Sequence, residues 1–131
     1  MAEIGKSGTP SLASVEPCGG HQLNGLLAGE ALAVGDFVYI KAADSRAWKA
    51  TGAAANEAAR ARGVVLQAAV AGDGVSIHSG VTVRWGAALT PGAPYFLSGT
   101  VAGQLADAAS VGGTAVIAYA VDATRVRVLA Q

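Results

Sequence analysis

"ALAVGDFVYI" at 31–40 and "ALTPGAPYFL" at 88–97 follow one plan: Ala-Leu, two residues, a glycine, then a short apolar run bearing an aromatic. In the second copy Pro91 presets φ for the first inner position of a turn. Gly92 supplies the positive φ that a type II turn needs at the second. Gly35 suits the same position in the first copy. Each turn is expected to launch a strand, and Pro94 stands at a strand start, where a missing amide donor costs little. The two glycines lie 57 positions apart. At that offset Leu32 meets Leu89, Val38 meets Tyr95, Tyr39 meets Phe96, Ile40 meets Leu97 and Trp48 meets Leu105.

Outward from these units the chain reads as short strands divided by turns: "DFVYIK" (36–41), "RGVVLQAAV" (62–70), "GVSIHSG" (74–80), "VTVRW" (81–85), "PYFL" (94–97), "TAVIAYAV" (114–121) and "TRVRVLA" (124–130). Strands at this spacing, with glycine at the breaks, predict an all-β domain, either a β-sandwich or a β-barrel of tulip-like form. With a small gap, "GVVLQAAV" aligns with "TAVIAYAV" and "GVSIHSG" with "TRVRVLA". The repeated order of elements therefore predicts two duplicated halves, 26–80 and 81–131, within one domain spanning 26–131. The one helical candidate, "AAANEAARAR" (53–62), has no large apolar residue and predicts a short surface helix or an irregular loop.

Residues 1–25 differ in kind. Gly5, Gly8, Gly19, Gly20 and Gly25 with Pro10 and Pro17 give no periodicity, and such a segment buries too little apolar surface to order by itself. It is expected to be an extended N-terminal arm, either a disordered tail or one that orders against a neighbouring subunit.

The 131 residues carry 9 basic and 9 acidic side chains, and 14% of residues are charged, against roughly 25% in an ordinary domain. Zero net charge argues against nucleic acid as a partner, which needs clustered Lys and Arg. No apolar run is long enough to cross a membrane as a helix. "MAEIGKSGTP" lacks the apolar region of a signal peptide.

Candidate chemistry is sparse. Cys18 and His21 in "CGGH" offer half a metal site and no second pair to complete it. His78 alternates with Ile77 and is expected to face solvent. Asp36, Asp73, Asp107 and Asp122 fall in turns, where acids commonly bond their own backbone. "AGDGVSIHSG" is superficially similar to the hairpins of biotinyl and lipoyl carrier domains, but Lys6, Lys41 and Lys49 do not sit at such a tip. Trp48, Trp85, Tyr39, Tyr95 and Tyr119 suit a core or a subunit contact better than a sugar platform. No catalytic, cofactor or metal residue is therefore assigned, and the chain is read as a non-enzyme.

Two longer stretches carry a family resemblance. "LAGEALAVGDFVYIKAADSRAWKA" (27–50) paired with "ALTPGAPYFLSGTVAGQLAD" (88–107) has a cadence found in small phage head proteins. "SRAWKA" (45–50) through "RGVVLQAAVAGDGVSIHSGVTVRW" (62–85) is similar in layout to the lambdoid head-decoration proteins. Over 26–131 the chain resembles the tailed-phage capsid decoration, or cement, proteins. The resemblance implies a structural virion protein on the capsid exterior, synthesised in the host cytoplasm and partnered by major capsid protein and by itself as a homotrimer. The alternative is a head-fibre or tail-fibre module that contacts host-surface glycans.

Overall fold

The computed structural model describes residues 3–12 and 22–129. The chain is all-β. Its strands are β1 (Ser11–Leu12), β2 (Gln22–Leu27), β3 (Phe37–Ile40), β4 (Ala47–Lys49), β5 (Gly63–Val64), β6 (Gly74–His78), β7 (Val81–Arg84), β8 (Pro94–Leu97), β9 (Leu105–Ala106), β10 (Val116–Ala120) and β11 (Arg125–Val128). Among the described residues the one helical element is a 3-10 turn at Glu57–Ala59, started by Asn56, whose side chain accepts the Ala58 amide at 2.9 Å. Residues 53–62 are otherwise irregular, because without a large apolar side chain nothing anchors a longer helix to the core.

Two antiparallel sheets form, with orders β2-β6-β5-β3-β4 and β1-β7-β11-β10-β8-β9. With β1 set aside, the two orders are the same. Counting from β2 in one half and from β7 in the other, each sheet runs first-fifth-fourth-second-third. β3 thus corresponds to β8, β5 to β10 and β6 to β11, so the order of strands is repeated.

The turns explain why this topology recurs. Asp36 donates its amide to the Ala33 carbonyl at 3.2 Å across Gly35 (φ 89°), and Ala93 donates to Thr90 at 3.0 Å across Gly92 (φ 82°). The same geometry closes Val70–Asp73 around Gly72 and Val101–Gln104 around Gly103. Positive φ is close to free for glycine and costly for other residues, so a glycine in each turn fixes where the chain reverses.

Pairing register refines the repeat at one point. Ile40 lies opposite Ala47, and Leu97 opposite Leu105. Since Ile40 corresponds to Leu97, the partner of Leu105 is Ala47 and not Trp48. One extra residue in the β8–β9 connection makes the difference, and in a strand a shift of one moves a side chain to the other face.

The equivalent inward positions are Val38, Ile40, Ala47 and Ile77 in the first half and Tyr95, Leu97, Leu105 and Val126 in the second. In the first half they join Ala28, Leu32, Val65 and Ala69 in a small core. That core is enclosed because Ala28, just past β2, bridges Ala47 of β4 and turns the sheet back on itself. β3 is buried on both faces: Phe37 and Tyr39 point away from this small core and join Val64 against Trp85, Leu97, Leu105 and Val126 of the second sheet. The two sheets thus pack as a β-sandwich around a shared core. In β11, Val126 and Val128 are buried while Arg125 and Arg127 are half-exposed, as their alternation predicts.

The N-terminal region departs from its expected organisation. Residues 22–25 lie within β2, whose apolar members Leu23, Leu26 and Leu27 had no legible period because a bulge shifts the register between Leu23 and Leu26. Residues 3–12 are extended, but they lie along this same domain. Sequence composition tracks local propensity only and does not register the groove waiting in the second half.

Candidate functional site: the seam filled by the N-terminal segment

In the first half the ring closes directly, the Gly29 amide donating to the Ala47 carbonyl at 2.9 Å. In the second half the corresponding strands stand apart, and residues 3–7 fill the gap. The Ile4 amide donates to the Leu105 carbonyl at 2.9 Å, Glu3 bridges Ala106, and the Ser7 amide donates to the Trp85 carbonyl at 2.8 Å. β1 then pairs with β7 through Ser11 opposite Arg84 and Leu12 opposite Val83. The segment therefore touches both margins of the second sheet, β9 and β7.

Side chains fasten it. Glu3 Oε2 accepts the Ser98 hydroxyl at 2.6 Å and the Thr100 hydroxyl at 3.2 Å. Ser98 is fully buried and also accepts the amides of Thr100 and Val101, so its oxygen is committed to structure. Fully buried Trp85 donates its indole N–H to the Ile4 carbonyl at 3.3 Å, while Lys6 Nζ lies 5.2 Å from the Trp85 ring centre and donates to Gln104 Oε1 at 2.8 Å. Cation–π contact and a neutral acceptor suit a lysine that is half-buried. Burial lowers the Lys6 pKa, with the nearby Asp36 carboxylate opposing that shift.

Asp36, 3% exposed, has its pKa raised by burial, against the Ala33 amide it accepts at 2.8 Å and the charges of Lys49 and Lys6. It and Asp73 each bond back to the first residue of their own turn, Ala33 and Val70. Asp122 instead forms a 2.7 Å ion pair with Arg125 and accepts the amides of Thr124 and Arg125 that follow it, which together hold its carboxyl well below the ordinary carboxylate range. The turn acids with these bonds are structural, as expected. Asp107 lines a surface groove of about 380 Å³ beside Glu3, Ile4, Leu89 and Tyr95. That groove is the mouth of the same seam.

The remaining candidates do not converge. Cys18 and His21 lie outside the described residues. Among the described residues no three His, Cys, Asp or Glu side chains group as a metal site. His78 is half-buried rather than solvent-facing, because Gln22 of β2 covers one side of β6; burial lowers its pKa. Trp85, Tyr95 and Tyr39 are core residues, and Trp48 is partly buried under Lys41, whose Nζ is 4.3 Å from its ring centre. Tyr119 alone of the five is largely exposed, at 40%. Among the described residues no helix is long and apolar enough to cross a membrane.

Sequence reading missed Glu3 and Lys6 as anchors. The available signal was two charges in an otherwise polar and glycine-rich segment, which carries no information about its distant partners. No protein-family model matches the chain, and no curated protein matches it.

Proposed function

We propose that the protein is a structural virion protein that binds the outer surface of a tailed-phage capsid and cements the shell. One observation supports this reading best. The loop 107–115 presents Val111, 77% exposed, beside a groove of about 290 Å³ floored by Gly52, Gly99, Ala109 and Ser110. Small residues let a partner's backbone approach closely, and an apolar tip in a weakly charged surface suits many modest contacts repeated over a shell. Because residues 3–12 are held within the chain, the capsid contact is assigned to this loop surface of the folded domain and not to a free arm. No catalytic step is assigned.

The test is co-sedimentation with capsids of the phage that encodes the protein. The intact protein pellets with capsids and raises their resistance to heat. Val111→Lys, which leaves the buried core untouched, weakens that binding. Failure of the intact protein to pellet at any concentration overturns the proposal, and selective binding to host-surface glycans in its place supports the fibre-module reading.

A further inference from the structure

The two sheets have four margins. β4 is closed by Ala28 and β9 by Glu3. β7 is covered by β1. The fourth is the outer side of β2, the counterpart of β7, and among the described residues no strand pairs with it. β2 is also the longest strand among the described residues, with six residues.

Its chemistry differs from that of its covered counterpart. Register places Leu23 where the second half has Val83, so the uncharged Asn24 stands in the place of Arg84. The uncovered margin thus lacks the charge that its covered counterpart carries. Leu23 and Leu27 are 46% and 42% exposed and are the exposed leucines among the described residues. "QLNGLL" contains no charge and no proline, the usual devices that keep a sheet edge from pairing with another chain. The bulge at Gly25 (φ 91°) twists the strand but neither charges nor covers it; a β-carbon at Gly25 would meet no atom within 4 Å.

We infer that β2 is a self-association edge, at which two copies of the chain pair their β2 strands antiparallel across a two-fold axis. The pairing of β1 with β7 shows within this molecule that the margin takes an extended strand. A second β2 is the strand that fits: it is long enough, apolar enough, and uncharged, so two copies meet without repulsion. The zero net charge of the chain removes longer-range repulsion as well. A strand paired with its own copy satisfies both open edges at once, which is the economy of a two-fold contact. This inference is independent of capsid binding.

Sedimentation equilibrium of the full chain tests it, together with Leu23→Lys, Leu27→Lys and the control Val111→Lys. The intact chain and the control are monomer–dimer systems, while each leucine variant dissociates about tenfold more readily with an unchanged melting temperature of the monomer. Hydrogen exchange gives a second readout: amides in 22–27 become protected as concentration rises, and this is lost in Leu27→Lys. A chain that is monomeric at every concentration, a closed trimer, or a dimer indifferent to both lysines overturns the inference.

Discussion

Gly35 and Gly92 stand in equivalent turns, and each donates its amide at 2.7 Å to a strand of its own half, Gly35 to the Val65 carbonyl and Gly92 to the Ala120 carbonyl. Their surroundings differ. A β-carbon on Gly92 would meet nothing within 4 Å, whereas one on Gly35 would lie 2.7 Å from Lys6 Cδ and 2.9 Å from Pro10 Cγ. Gly92→Ala therefore carries the cost of positive φ alone, about 1–2 kcal/mol. Gly35→Ala carries that cost and also pushes on the N-terminal segment. Urea denaturation should rank Gly35→Ala as the more damaging, with faster proteolysis near residues 3–12. Equal losses would show that the segment does not rest on Gly35.

Truncation of residues 1–10 removes the bonds of Ile4 and Ser7 and the acceptor of the Trp85 indole. At about 1 kcal/mol per hydrogen bond, these three alone account for roughly 3 kcal/mol, and the side-chain bonds of Glu3 and Lys6 add to the loss. Trp85 is fully buried, so its fluorescence should move to the red as water reaches the seam. Unchanged emission and stability would mean that the segment is dispensable to the fold.

The correspondence of Ala47 with Leu105 makes an asymmetric prediction. Both are fully buried. Leu105→Ala leaves a cavity and should cost about 2–5 kcal/mol. Ala47→Leu crowds the smaller core of the first half and should cost about 1–3 kcal/mol. Tolerance of leucine at 47 would indicate space there that the packing does not provide.

His78 sets a pH dependence. Burial lowers its pKa below the ordinary 6.5, so the unfolded chain takes up the proton first. Its contribution to stability is complete above about pH 6.5 and declines as pH falls through the window between the unfolded and folded values. Melting temperatures below pH 6.5 should fall less steeply in His78→Gln than in the intact chain. Parallel profiles for the two would assign the slope elsewhere.

Much of the fold was legible in the sequence because its signals are local. Glycine at 35 and 92 fixes the turns through a steric rule that holds within four residues. Alternation at 125–128 and the double-sided apolar run at 37–40 follow from the geometry of one strand. The 57-residue echo relates β3 to β8, which hold the same place in their sheets. Two-residue strands such as β5 and β9 were not separable, since no period exists in so short a run, and the slip between Trp48 and Leu105 needed pairing partners to be seen.

What the sequence determined by itself was therefore the class and the turns. Tertiary structure alone decided how the two halves differ. The first half closes through Ala28 on Ala47, while the second stays open until residues 3–7 enter between Trp85 and Leu105. That choice depends on hydrogen-bonding groups roughly 80 to 100 residues away from the segment that satisfies them. No local pattern in "EIGKS" specifies it, and the same long-range fact distinguishes the outer side of β2, since among the described residues one covering strand serves two equivalent edges.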